Sequence, residues 1–163
     1  MLWFLFLVLS QIASVPFRYK FHPKERKIID ESRKIWNDPT LRITPTCVRV
    51  PVVRAHTMAV TVELAQPTTE HDLRATLGDA PGVSLLDDRT NNAFPTPLKA
   101  SGQDKVLVGR LRPDPCDLSD AQGRLTRFCL LLAGDQLRKG AATNAVQIAD
   151  ALRAIERHQG VEA

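Results

Sequence analysis

The chain has 163 residues, 44% hydrophobic and 25% charged, the size and balance of one globular domain rather than of a disordered or fibrous protein. Its 22 basic and 18 acidic residues leave a formal charge of +4, spread without a run of five like charges. That is too dilute to argue for nucleic acid and suits small anions such as phosphates and carboxylates at least as well. Three widely spaced cysteines (Cys47, Cys116, Cys129) and four scattered histidines (His22, His56, His71, His158) make no disulfide framework, CxxC or HExxH, so no metal site is expected.

Residues 1–10, MLWFLFLVLS, are almost wholly apolar and give way to a basic stretch. The run reads as a signal-like leader, but a weak one: no Lys or Arg precedes it, it is shorter than the ~20 residues of a membrane span, and no clean cleavage site follows. No stable membrane span is expected. Residues 1–21 are therefore set apart from a domain over 22–163. From Pro23 to Trp36 the spacing of Ile28, Ile29, Ile35 and Trp36 predicts a helix with one wet face, with proline in its first turn and Asn-Asp-Pro as its stop. Two Val-rich strands over 41–53 and 58–64 come next. Thr68 or Thr69 then caps a short helix that exits at Gly78. A short strand at 83–86 leads into a loop over 87–103, rich in turn formers. Two further strands, KVLVGRLRPD and RLTRFCLLLAG, precede a long amphipathic helix bearing Ala142, Ala145, Val146, Ala149, Leu152 and Ile155. The order predicts an α+β fold with a mostly antiparallel sheet backed by helices.

The stretch TPTCVRVPVVRAH places Arg49, Arg54 and His56 in an otherwise apolar ribbon. Arg49 either faces solvent or grips an anion through its planar fork. His56 is either a packed histidine or a proton-transfer group. Seven residues separate them, which on a regular strand means opposite faces. A break is needed for convergence, and Pro51 is suited to supply one.

ITPTCVRVPVVRAH, together with RKIWNDPTLRIT, APGVSLLDDRTNNAFPTPLKASGQDKVLVGRLRPD and GDQLRKGAATNAVQIADAL, resembles the aspartate-semialdehyde dehydrogenases in register, in the style of plant and photosynthetic-organism enzymes. The resemblance covers about residues 25–152. It implies the C-terminal substrate and dimerisation domain of an NADP-dependent enzyme that interconverts L-aspartate 4-semialdehyde plus phosphate with L-4-aspartyl phosphate, in lysine, threonine, methionine and isoleucine biosynthesis. The implied fold is that of the glyceraldehyde-3-phosphate-dehydrogenase-like semialdehyde dehydrogenases, with a homodimer through this domain. The resemblance gives Arg49 the substrate carboxylate, His56 the general acid/base role, Lys27 the phosphate, and Asn144 an approach to the cofactor. It gives Arg54 nothing beyond surface or interface.

The departures carry weight. Lys24 stands three before Lys27, where the family carries a glutamate for the substrate ammonium, and a cation there repels that group. Met58 replaces an acidic residue. No glycine-rich dinucleotide turn and no Gln-Asn-Cys nucleophile segment occurs in the sequence, so NADP is expected to come through an N-terminal domain absent here. Turnover by the chain alone is not expected. Cys47 is the one thiol in contention as nucleophile: its apolar strand argues for an inert group, while Arg49 on the same strand face argues for a lowered pKa. Cys116 and Cys129 are read as structural. The alternative reading is a non-catalytic module that pairs with itself or with a full-length enzyme. The expected compartment is cytoplasm or plastid.

Overall fold

A computed structural model describes the backbone of residues 2–9 and 22–158, with side chains for 22–157. Ten elements follow in order: β1 (Leu2–Leu9), α1 (Pro23–Ile35), β2 (Arg42–Arg49), β3 (His56–Thr68), α2 (Glu70–Asp79), β4 (Val83–Leu85), α3 (Pro97–Ala100), β5 (Val106–Pro113), β6 (Leu125–Gly134) and α4 (Ala142–His158). The six strands form one sheet in the order β2-β1-β3-β6-β5-β4. The inner pairs β1–β3, β3–β6 and β5–β6 are antiparallel, while β1–β2 and β4–β5 at the margins are parallel. The α+β expectation, mostly antiparallel with helices against the sheet, describes this architecture.

Within the apolar run, Leu2–Leu9 forms the second strand of the sheet. An uncharged run of eight apolar residues satisfies both a signal core and a strand flanked on both sides, and period alone does not separate the two. Pro23 sits in the first turn of α1. His22 caps it, with Lys24 N donating to His22 Nδ1 and His22 N donating to Glu25 Oε2, a reciprocal capping box. Only Ile29 of α1 is buried, and Ile35 and Trp36, expected on the inner face, are exposed. The helix ends at Ile35 and the chain reverses through Asn37 (φ 50°). After the turn Leu41 is buried instead, its carbonyl accepting from Arg33 Nε at 3.0 Å. Thr69, of the two candidate threonines, caps α2 by accepting from Asp72 N.

Two clusters form the core, one on each face of the sheet. Val62, Leu111 and Phe128 pack under Leu73 and Leu77 of α2. Ala55, Ala100, Leu107 and Ala133 pack with Leu86 on the other side. Leu107 and Leu111 are four residues apart, a spacing that keeps one face in a regular strand. Here a bulge between Gly109 and Arg112 intervenes, with Arg110 at φ 51° as the extra residue, and sends Leu111 to the α2 side. Asp87 collects the amides the bulge frees, accepting from Arg110 N and Leu111 N, and also pairs with Arg74 of α2. Segment 86–95 crosses β5 so closely that a Cβ on Gly109 would lie 2.0 Å from the Leu86 carbonyl oxygen, so only glycine fits. The predicted loop over 87–103 contains one ordered turn of helix, α3, capped by Thr96.

On β2 the residues alternate cleanly. Pro45 is buried and Ile43, Cys47 and Arg49 are half-buried, while Arg42, Thr44, Thr46 and Val48 are exposed. α1 packs against β2. On the opposite face at this end of the sheet, Thr44, Thr46 and Val48 together with Ala59 of β3 are exposed among the described residues.

Candidate active site

The site lies where β2 ends and β3 begins, on either side of the end of β1. Leu9 pairs with Arg49 and Val8 with Thr57. One further step along the antiparallel register sets Leu9 opposite His56. Arg49 and His56 therefore stand in one row across three strands, and residues in register share a face of the sheet. The odd separation that seemed to part them is resolved by the step over β1. Strand pairing stops at Arg49, the segment 50–55 connects β2 to β3 past the end of β1, and Ala55 at φ 77° turns the chain into β3.

That crossing is clamped from the β6 end. Arg54 Nη2 lies 2.6 Å from Asp135 Oδ2, and the Asp135 side chain is fully buried. Asp135 also accepts from Gly102 N and Leu137 N, and Ala55 N donates to Gln136 Oε1. Burial pushes the Asp135 carboxyl up, but the hydrogen bonds from Arg54, Gly102 and Leu137 outweigh it and hold the group below the usual carboxylate range. Arg54, left without a role by the sequence, holds the loop that presents His56. A buried aspartate 81 residues away in sequence leaves no local signal by which to find it.

α1 supplies the third side. Glu25 accepts from Cys47 N through Oε1 at 2.8 Å while its Oε2 holds His22 N, which pins the first turn of α1 to β2. Both carboxylate oxygens are thereby engaged by backbone amides. Lys24, next to it, acts electrostatically on both His56 and Cys47, as does Arg49. Burial, then the charge of Lys24, then that of Arg49 lower the His56 pKa, against an opposing pull from the Ala55 backbone. The imidazole is neutral at neutral pH and able to take a proton. Burial, followed by Glu25, pushes the Cys47 thiol up, and Lys24 and Arg49 only partly offset this. Of the two readings of Cys47, the inert thiol fits.

Arg49 Nη1 and His56 Nδ1 are buried and have no hydrogen-bond partner among the described residues. Two such groups in one row, with the charge of Lys24 felt at His56, have the chemistry to meet an anion with several acceptor oxygens. Lys27 is one turn along α1, exposed, and 3.5 Å from Glu31. Asn144 lies in the first turn of α4, its N–H donating to Arg138 O and Ala141 O, and no described hydrogen bond joins it to Arg49 or His56. The described residues include no glycine-rich strand-to-helix turn, so they do not by themselves fit a dinucleotide. They also contain no cluster of metal-ligating side chains.

The family signature described as "Semialdehyde dehydrogenase, dimerisation domain" matches residues 20–139. The aspartate-semialdehyde dehydrogenase of Synechocystis is 50% identical over 129 residues, 79% of this chain and 36% of that protein. That of Legionella pneumophila is 45% identical over 134 residues, 80% and 36% respectively. The chain thus spans about a third of the length of the curated relatives it matches. Among solved structures, aspartate semialdehyde dehydrogenase II of Vibrio cholerae complexed with ASA superposes with a TM-score of 0.78 at 29% identity, covering 93% of this chain and 54% of that one. The Candida albicans enzyme with NADP, at 19% identity and TM-score 0.69 over 93% and 50%, shares the fold. With most of its length inside the signature and its sheet superposing on these enzymes, the chain belongs to the semialdehyde dehydrogenase family through its C-terminal dimerisation domain.

Proposed function

We propose that this chain is the substrate and dimerisation half of an aspartate-semialdehyde dehydrogenase, over residues 22–163, with 1–21 a segment of separate origin. The whole reaction interconverts L-aspartate 4-semialdehyde and phosphate with L-4-aspartyl phosphate, and NADP, held by a domain outside these residues, supplies the hydride acceptor. The observation that carries the reading is the row shared by Arg49 and His56 on one face of the sheet. Arg49 offers its unpaired Nη1 to the substrate carboxylate. His56, kept neutral by burial and by Lys24, accepts a proton from the nucleophile and returns it. Lys27, exposed one turn along α1, meets phosphate, and Asn144 on α4 faces the cofactor side. Lys24 opposes the substrate ammonium, so it weakens binding of an amino-acid substrate.

The test is a chimera that places this chain behind the NADP-binding domain and the cysteine-nucleophile segment of the Synechocystis relative. It is expected to oxidise aspartate semialdehyde with NADP and phosphate, and His56→Ala is expected to lower the rate by roughly 10²–10⁴-fold. An unchanged rate in His56→Ala sinks the assignment. Lys24→Glu is expected to lower KM with little effect on kcat.

A second reading, a non-catalytic module that pairs with itself or a full-length enzyme, draws on the raised Cys47 pKa, which leaves that thiol a poor nucleophile. We propose the face of Thr44, Thr46, Val48 and Ala59 as the surface of a homodimer, since twofold interfaces are self-complementary. Sedimentation of the wild type and Ala59→Arg tests it: a dimer dissociated by the arginine is expected, and a wild-type monomer removes the idea. No described helix is long and apolar enough to cross a membrane, and cytoplasm or plastid stroma is the compartment we propose.

A further inference from the structure

The β3–β6 ladder ends at the pair His56–Gly134, and immediately before that pair Ala55 turns the chain at φ 77°. Four described residues other than glycine have positive φ. Asn37 and Asn92 are of the type that tolerates it, Arg110 is the exposed extra residue of a bulge, and Ala55 is the one that is buried. An alanine persists in that conformation only where its surroundings hold it there. Two anchors do so: Ala55 packs in the cluster of Ala100, Leu107 and Ala133, and its N–H donates to Gln136 Oε1 at 2.8 Å. Where the ladder stops, a side-chain carbonyl takes the place of a main-chain one. Gln136 is itself held fast. The Asp135 carboxylate before it accepts from Gly102 N and Leu137 N, and the Asp135 carbonyl accepts from Arg138 N and Lys139 N. Gly140 passes so close that a Cβ there would lie 3.1 Å from the Gln136 carbonyl oxygen. The amide thus projects from a rigid turn, and while Asp135 grips the end of the Arg54 side chain, Gln136 reaches the backbone of the strained residue.

We propose that Gln136 is a positioning residue for His56: its side-chain carbonyl holds Ala55 in the left-handed conformation, and that conformation keeps the imidazole in the row it shares with Arg49. Ala55 is the last residue before His56, so relaxing its φ swings the peptide that leads into the histidine. The Ala55 backbone also acts on the imidazole directly, pulling its pKa up against burial and against Lys24 of α1 and Arg49 of β2. That the placement serves proton transfer rests on the function proposed above; the placement itself does not.

The test on the full chain is titration of His56 by NMR, its resonance identified with His56→Gln. Gln136→Leu removes the acceptor and leaves Ala55 N–H buried without its partner. Burial is the largest cause holding the His56 pKa below 6.5, so release of the loop is expected to move it up toward that value. Leu77→Ala, which opens the cluster under α2 on the other side of the sheet from Ala55, controls for lost stability and is expected to leave the titration where it was. A Gln136→Leu shift no larger than that of Leu77→Ala overturns the proposal. Glycine takes φ 77° without strain, so the shift is expected to be smaller in Ala55→Gly with Gln136→Leu than in Gln136→Leu alone, and an equal shift overturns the route through Ala55. Should Gln136→Leu fail to fold, Gln136→Asn, whose carbonyl is withdrawn by one methylene, is read in the same way. In the chimera, Gln136→Leu is expected to lower kcat by about 10²-fold with KM little changed; an unchanged kcat where His56→Ala lowers it overturns the proposal. If His56→Ala leaves the rate unchanged, the proposed function fails and the titration still decides on Gln136.

Discussion

The two halves of the sheet are built on different principles. In the β3–β6–β5 half, bulk is buried on both faces, with Phe128 and Leu111 fully buried under α2 and Ala133 and Leu107 under the 86–103 segment. In the β2–β1 half the described residues of one face of β2 are exposed, α1 has one buried residue, Ile29, and a polar tie through Glu25 joins α1 to β2. The candidate site sits on the joint, with His56 on the dense side and Arg49 and Lys24 on the sparse side. Chemistry that needs both halves thus depends on the ladder that joins them more than on the core, and substitutions should sort accordingly.

The largest effect belongs to the dense half. Phe128→Ala is expected to destabilise the whole chain by about 4 kcal/mol in denaturant unfolding. Gly109→Ala should follow, at about 3 kcal/mol, because its Cβ meets the backbone of Leu86 and neither can give way. Asp135→Asn, at the clamp between halves, is expected to cost about 2 kcal/mol by unpairing Arg54. Glu25→Gln is expected to cost only about 1 kcal/mol, since one of two amide contacts survives. It should also lower the Cys47 thiol pKa by removing the charge that raises it. If Glu25→Gln unfolds the chain as Phe128→Ala does, the two halves are not distinct.

The smallest effect is in pH dependence. The folded His56 pKa lies below its ordinary value of 6.5, so as pH falls through 6.5 the unfolded chain takes up the proton first. Stability is then level above that pH and declines below it until the folded value is reached. Asp135 has a folded pKa below 3.8, so its contribution is held above that pH and lost in stronger acid. His56→Gln should flatten the first limb and leave the second, as read by thermal melts across pH.

Most of the element order was legible from period and punctuation, because caps such as Thr69 and Pro23 act on their own neighbours. Arg49 and His56 were legible as oddities, and the family resemblance gave them roles. Their shared face was not, since it depends on β1 entering between two strands adjacent in sequence. The same limit hid the Arg54–Asp135 pair and the turn of Leu111 to the α2 side: both are long-range or bulge effects that no window of sequence contains. Ile35 and Trp36 misled for the opposite reason, their spacing being helical where the helix has already ended.

Lys24 and Arg49 act on His56 across the joint between the two halves, and titration of His56 by NMR is the first experiment to make. In the wild type the imidazole should titrate below 6.5, with the value rising in Lys24→Gln and, by less, in Arg49→Gln. A His56 that titrates at its ordinary value and ignores both substitutions would contradict the assembled site.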